Sequence, residues 1–181
     1  MDSVLLVPGY GNSGPAHWQS HWQSRLPKAV RAELGDWDHP DEASWLARLK
    51  LELPPADDKV VLVAHSLGCL LVVNLLAACA PTRVAGAFLV APPDPAHAAF
   101  PSQISGFRDF ITTRLSVPSL VVSSTNDPYS PPGFGPHCAT LWGSRHVSIG
   151  AAGHINAASG HGPWEEGLEL LHSFLASLRT H

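Results

Sequence analysis

The chain has 181 residues and a formal net charge of −4, with 45% of its residues hydrophobic and 14% charged. This length suits a single domain spanning residues 1–181, and such a domain can bury about 70% of its unfolded surface without disulfides or metals. The charge forms no basic block, which makes nucleic acid and anionic membranes poor candidate partners. No apolar run approaches the length needed to span a bilayer.

The cysteines and the start of the chain predict a cytoplasmic protein. Cys69, Cys79 and Cys138 are widely spaced and follow no metal-binding or redox pattern. This spacing predicts free cysteines that pack in the fold of a protein from a reducing compartment. The first residues lack the cationic segment of an export signal, and the apolar run that follows is too short for one.

The first half of the chain alternates short apolar runs with helical patterns. Trp18, Trp22 and Leu26 recur at i, i+4 and i+8 and predict one apolar helical face. Asp41 is a candidate N-cap for a helix that ends before Pro54. The predicted strands cover residues 4–7, 28–34 and 60–64, and the predicted helices cover residues 16–26, 42–53 and 67–79.

The second half continues the alternation, with strands predicted at residues 84–91, 118–123 and 145–149 and helices at 134–142 and 164–178. Residues 96–116 read as irregular, with a short helix around residues 107–111. Buried-type strands that alternate with helices predict an α/β fold whose sheet has about six strands, mostly parallel and doubly wound. The loops after the strands then share one edge of the sheet, where ligands bind.

The segment around Ser66 has the pattern of a nucleophile elbow. A β-branched run ends in Ala64-His65-Ser66-Leu67-Gly68, and a second apolar run with helical spacing follows at once. The general pattern is G-x-S-x-G, in which a strained turn between strand and helix exposes the serine hydroxyl. Ala64 replaces the first glycine here, and a small residue is sufficient where strand and helix cross.

Three residues that follow predicted strands form a candidate catalytic set. A serine needs an imidazole base, and that imidazole needs an orienting carboxylate. Ser66, Asp127 and His154 occur in the chain order of α/β-hydrolases. Asp94, which follows the strand after the elbow, is the alternative acid, although its proline-rich flanks favour a turn.

Acyl transfer also requires donors for the oxyanion of the tetrahedral intermediate. The backbone N–H of Leu67, at the head of the helix behind the elbow, is one candidate. The loop after the first strand would supply the second, from Tyr10 or alternatively from Gly11.

Several further segments sharpen the interpretation, and with them the chain resembles the small serine α/β-hydrolase family that contains bacterial YdeN and human retinoblastoma-binding protein 9. The resemblance covers nearly the whole sequence. It implies a compact α/β-hydrolase fold, a catalytic triad of Ser66, Asp127 and His154, and neither a metal nor an organic cofactor. The segments that carry it are Val7-Pro8-Gly9, His17-Trp18, His21-Trp22, His65-Ser66-Leu67-Gly68, Asn126-Asp127-Pro128-Tyr129, Gly153-His154-Ile155-Asn156 and Ser159-Gly160-His161-Gly162-Pro163-Trp164.

The space available for a lid limits the substrate. Only residues 92–117 could cover the site, so the sequence predicts no separate cap domain and a small flap, with Phe100, Phe107 and Phe110 as possible lining. An open, shallow cleft favours a small ester, thioester or amide over a long lipid. The leading hypothesis is therefore a cytoplasmic serine hydrolase that acts on small carboxylic esters or related amides through an acyl-enzyme.

Other interpretations remain open at the level of the sequence. The chain could be a non-catalytic protein-binding module on a hydrolase scaffold, because fold alone does not imply activity. Gly9-Tyr10-Gly11-Asn12-Ser13-Gly14 nearly matches the G-x-G-x-x-G pattern of nucleotide-binding proteins, with Asp36 only a loose candidate for the acidic residue such sites use. His17 and His21 have a spacing that a metal could use, without an apparent third ligand.

Overall fold

The computed structural model describes residues 3–55, 58–79 and 81–179. Within these ranges the strands form one six-stranded sheet in the order β2-β1-β3-β4-β5-β6, and every neighbouring pair is parallel. The strands are β1 (Ser3–Val7), β2 (Ala29–Arg31), β3 (Val60–His65), β4 (Val84–Val90), β5 (Ser119–Ser123) and β6 (Arg145–Ser148). The helices are α1 (Trp18–Arg25), α2 (Glu42–Glu52), α3 (Leu67–Cys79), α4 (Phe134–Trp142) and α5 (Glu165–Ser177).

The helices cover both faces of the sheet, as the alternation of buried side chains requires. Leu62 and Ala64 of β3 pack with α2, α3 and α4, whereas Val61 and Val63 pack with α1 and α5. Successive residues of a strand point to opposite faces of the sheet, so the apolar run of β3 contributes to the cores on both faces. This is the predicted doubly wound α/β fold.

The positions at which helices and strands were predicted mostly agree with those in the structure. Asp41 caps α2, where its side chain accepts a hydrogen bond from the Ser44 N–H at 2.9 Å. The second strand is shorter than predicted, with three residues in place of residues 28–34. Lys28 has a left-handed φ of 62°, and this breaks the extended conformation before Ala29.

Residues 92–117 form a flap over one side of the sheet edge rather than a separate cap domain. The short helix predicted around residues 107–111 is wrong: Gly106 and Phe107 have φ values of 74° and 57°, which a right-handed helix cannot contain. Instead, the Phe107 N–H donates to the Glu42 carboxylate at 2.5 Å, and the Glu42 N–H donates to the Ser105 carbonyl at 3.0 Å. The flap is thus attached to the start of α2.

None of the helices in the described ranges has both the length and the apolar character required to cross a bilayer.

The first turn of α3 lies so close to the end of β1 that Gly68 has no room for a side chain. A Cβ on Gly68 would lie 2.4 Å from the Val7 carbonyl oxygen and 2.6 Å from that of Pro8. Backbone atoms cannot move aside as a flexible side chain can. The close approach joins the elbow to the loop after β1.

We therefore expect Gly68→Ala to lower the free energy of unfolding by about 1–3 kcal/mol, the range for overpacking of a filled site. Gly14→Ala is the matched control, because a Cβ on Gly14 would have no neighbour within 4 Å. Chemical denaturation of both variants measures the difference. Equal stabilities would contradict the tight crossing.

Candidate active site

Ser66 occupies the turn between β3 and α3 in a strained backbone conformation. Its φ is 55°, in the left-handed region that side chains other than glycine rarely adopt. Its N–H donates to the Val90 carbonyl at 2.9 Å, which ties the turn to β4. A Cβ on Gly9 would lie 2.9 Å from the Ser66 Cβ, so the loop after β1 also touches the turn. The predicted strand, tight turn and helix are therefore all present.

A continuous hydrogen-bond chain joins Ser66, His154 and Asp127. The His154 Nδ1 lies 2.9 Å from both carboxylate oxygens of Asp127, and its Nε2 lies 2.8 Å from the Ser66 Oγ. An ionised carboxylate only accepts, so the ring proton belongs on Nδ1 and Nε2 accepts from the serine hydroxyl. Asp127 and His154 are both buried, with 9% and 7% of their surfaces exposed.

Hydrogen bonds between the loops after β5 and β6 keep Asp127 and His154 side by side. The Asn126 Oδ1 accepts the Gly153 N–H at 2.8 Å, and the Ser124 Oγ accepts the Ala152 N–H at 2.9 Å. The Asp127 carboxylate also accepts the Tyr129 N–H at 2.9 Å. The first two bonds join the loops after β5 and β6, and their partners are 27 and 28 residues apart in sequence.

Asp94 is the alternative partner for His154 that the sequence leaves open. In the structure its carboxylate stabilises a turn instead. Its side chain accepts the Ala96 N–H at 2.8 Å, and its own N–H donates to the Tyr129 carbonyl at 3.0 Å. The carboxylate that the structure brings to His154 is that of Asp127.

His65 supports His154 from behind. Its Nε2 lies 2.9 Å from the backbone carbonyl of His154, and a carbonyl can only accept, so Nε2 carries the proton. The two rings lie 5.0 Å apart. Burial holds the pKa of His65 well below its usual value, and the nearby His154 and His17 rings act in the same direction. His65 is therefore a neutral donor at neutral pH.

His17 is a second buried neutral histidine, and its place at the site was not predicted. It caps α1 through Nδ1, which accepts the Gln19 N–H at 3.1 Å, and its ring packs 4.7 Å from that of His65. Burial, with smaller effects of Arg31 and His154, lowers its pKa to about 4. The sequence signal was its position directly before the apolar face of α1, where a capping residue is expected.

Two backbone N–H groups beside Ser66 are available to a ligand. The Leu67 and Tyr10 N–H groups have no hydrogen-bond partner among the residues that the structure describes, whereas the Gly11 N–H donates to the Trp37 carbonyl at 2.9 Å. Tyr10 and Leu67 both line the cleft in front of Ser66. Tyr10 and Gly11 were the two candidates for an oxyanion donor in the loop after β1. Of their two N–H groups, only that of Tyr10 remains free to bind a ligand.

Ser66 and His154 open onto a cleft with a volume of about 180 Å³. The flap supplies part of its apolar wall, which consists of Pro93, Phe100, Pro101, Ile104 and Tyr129. Phe107 and Phe110, the other two candidates for lining, face elsewhere: Phe107 packs against Trp45, and Phe110 packs against Phe134 and Trp142.

No group of three or more His, Cys, Asp or Glu side chains within the described ranges is placed to hold a metal ion. The Nδ1 of His17 is already engaged as the cap of α1. The pair His17 and His21 therefore lacks the ligands of a metal site.

A family model and solved structures match this chain. A family model described as serine hydrolase matches residues 4–173. A protein described as a YdeN-like hydrolase of Pectobacterium atrosepticum is 36% identical, with a TM-score of 0.85 over 97% of this chain and 91% of that one. A comparison with curated proteins finds no match.

More distant structures share the fold. The ydeN gene product of Bacillus subtilis is 20% identical, with a TM-score of 0.80 over 97% of this chain and 100% of that one. Esterase 2 of Thermogutta terrifontis, in a form phosphonylated by cyclosarin, is 16% identical, with a TM-score of 0.70 over 98% and 83% of the two chains.

The two buried histidines make the stability of the protein depend on pH. Below the ordinary histidine pKa of about 6.5 the unfolded chain takes up protons at both rings. The folded chain keeps both rings neutral there, His17 down to about pH 4. The unfolded state binds more protons, so the free energy of unfolding should fall as the pH drops from 7 towards 4. Each ring contributes up to about 1.4 kcal/mol per pH unit.

Denaturation midpoints measured across this range test the prediction. His17→Asn keeps a side chain that can cap α1 and removes one of the two rings. The free energy of unfolding of this variant should change less steeply with pH than that of the wild type, by an amount that corresponds to about one proton fewer taken up on unfolding. An unchanged slope in this variant would contradict the neutral burial of His17.

Proposed function

This chain belongs to the serine hydrolase family, in common with YdeN-like hydrolases, and we propose that it cleaves small carboxylic esters, or related amides and thioesters, through an acyl-enzyme on Ser66. Family membership, predicted from the motifs, is confirmed and establishes a hydrolase. The observation that carries the proposal is the hydrogen-bond chain from the Ser66 Oγ through His154 to Asp127, which opens onto a cleft.

In the proposed mechanism, the Ser66 Oγ attacks the substrate carbonyl while its proton passes to the His154 Nε2. Asp127 keeps the His154 ring in the tautomer that can accept this proton and stabilises the imidazolium that results. His154 then returns the proton to the leaving alcohol, amine or thiol. A water molecule then gives a proton to the same nitrogen as it attacks the acyl-enzyme. His154 passes this proton to the Ser66 Oγ as the acyl bond breaks, which releases the carboxylic acid and restores the serine.

The charge that develops on the carbonyl oxygen would be held by the N–H groups of Leu67 and Tyr10. Both are uncommitted within the described chain, and Leu67 stands at the positive end of the α3 dipole. Removal of one preorganised donor of this kind typically lowers kcat by roughly 10²–10³-fold. Since both are backbone groups, their position depends on the contact between Gly9 and the turn.

The cleft supports a small substrate. Its volume of about 180 Å³ is close to that of cavities that accept a benzene ring, about 150 Å³. Its wall from the flap is apolar and suits a short hydrocarbon chain. A long lipid would extend into solvent.

We expect a fluorophosphonate probe to label the wild-type protein covalently and to leave Ser66→Ala unlabelled, because only an activated serine hydroxyl attacks the phosphorus. Cys79→Ala is the control, since it removes an exposed nucleophile far from the site. Intact-mass spectrometry measures the adduct. A wild type that stays unlabelled would instead favour the protein-binding module.

The acid is tested by Asp127→Asn, which should lower kcat for p-nitrophenyl butanoate by on the order of 10³–10⁴, because the amide favours the wrong imidazole tautomer. Asp94→Asn is the matched control, since its side chain accepts only a backbone N–H in a turn. Steady-state kinetics of the two variants decide the matter. A loss in Asp94→Asn that equals that in Asp127→Asn would refute the assignment.

A further inference from the structure

The cleft in front of Ser66 has two chemically different walls. One wall is the apolar flap already described. Besides His65 and His154, whose contacts are described above, the lining contains three nitrogen-bearing side chains, Asn12, His17 and Asn156, and we call these three residues the donor wall. His17 and Asn156 each cap a helical turn through an acceptor atom. What remains to be explained is the N–H side of these residues.

Both asparagine amides in the donor wall are oriented by the backbone. The Asn12 Oδ1 accepts the Ser13 N–H at 2.7 Å, and the Asn156 Oδ1 accepts the Ser159 N–H at 3.0 Å. An amide oxygen that faces a backbone N–H leaves the NH₂ group on the other side. Neither Nδ2 has a hydrogen-bond partner within the described chain, so both amide nitrogens can donate to a ligand in the cleft.

His17 supplies the most constrained of the three donors. Only 6% of the residue is exposed, and its Nδ1 is used up as the acceptor for the Gln19 N–H. The remaining proton of the neutral ring therefore lies on Nε2, which is buried and has no hydrogen-bond partner in the described chain. Leaving a buried donor unpaired is costly, and such groups normally meet a partner.

Arg31 lies behind the donor wall and makes its surroundings electropositive. Its Nη1 donates to the Ser13 carbonyl at 2.6 Å and approaches the Asn12 Oδ1 at 3.5 Å. Within the described residues no carboxylate forms an ion pair with it. A half-buried guanidinium without a counter-ion favours an electron-rich oxygen on the cleft side of the wall.

We propose that the donor wall of Asn12, His17 and Asn156 binds an oxygen acceptor of the substrate, so that the enzyme prefers esters with an ether, hydroxyl or carbonyl oxygen within a few bonds of the scissile carbonyl. The inference rests on the proposed ester hydrolysis at Ser66 and specifies its substrate class. The flap holds the hydrocarbon part, and the donor wall selects the oxygen. His17 is then a specificity-determining residue rather than only a helix cap.

Pairs of esters that differ by one oxygen in place of a methylene test the proposal. On the acyl side, p-nitrophenyl 3-methoxypropanoate is compared with p-nitrophenyl pentanoate. On the alcohol side, 2-methoxyethyl butanoate is compared with butyl butanoate, with acid release followed by titration. The measured quantity is the ratio of kcat/KM within each pair, and comparison of this ratio between variants removes the intrinsic reactivity of the esters.

In His17→Asn the amide oxygen can still cap α1, but the amide nitrogen takes the place of the ring Cδ2 and ends one bond short of the position of Nε2, so this donor is lost. In at least one pair the ratio in the wild type should therefore exceed that in His17→Asn by roughly three- to tenfold, the value of one hydrogen bond. Asn156→Asp keeps the acceptor for Ser159, replaces the donor, and should lower the same ratio independently. His21→Asn, on α1 but outside the cleft lining, should keep the wild-type ratio.

Ester hydrolysis with the same ratios in the wild type, His17→Asn and Asn156→Asp would overturn this inference and leave the proposed function standing. A wild type that hydrolyses none of the four esters would overturn both.

Discussion

The site depends on one steric constraint, the contact between the turn at Ser66 and the end of β1. The turn is left-handed, with a φ of 55° at Ser66, and Gly9 and Gly68 on either side of it have no space for a Cβ. Because backbone meets backbone there, the serine oxygen and the N–H groups of the two segments are fixed relative to each other without any adjustable side chain. The strain in the turn is held by the parallel pairing of β3 with β1 and β4.

A second layer behind the site consists of neutral imidazoles. His65 donates to the backbone of His154, and His17 packs against His65. Apolar residues in these places would fill the same space but would leave the His154 carbonyl unpaired. The polar layer therefore fixes the loop after β6. The position of His154 and the expected pH dependence of stability thus depend on the same two histidines.

The flap shows how tertiary contacts override local patterns. Residues 107–111 carry an apolar pattern that suits one helical turn, yet the Glu42 carboxylate binds the Phe107 N–H and the chain passes through two left-handed residues. Phe107 and Phe110 then enter the core beside α2 and α4, and only Phe100 reaches the cleft. The distribution of these three aromatic residues depends on contacts with helices that are distant in sequence.

The sequence by itself determined the alternating α/β order, the elbow at Ser66 and the sheet edge at which Asp127 and His154 lie, because strand and helix periodicities are local and parallel strands bring their carboxyl ends to one edge. Only the tertiary structure decided which carboxylate meets His154 and which of the Tyr10 and Gly11 amides stays free. It also decided that His17 belongs to the cleft. The physical reason is that these outcomes depend on hydrogen bonds between segments far apart in the chain, such as Gly11 with Trp37, and no local pattern encodes such a partner.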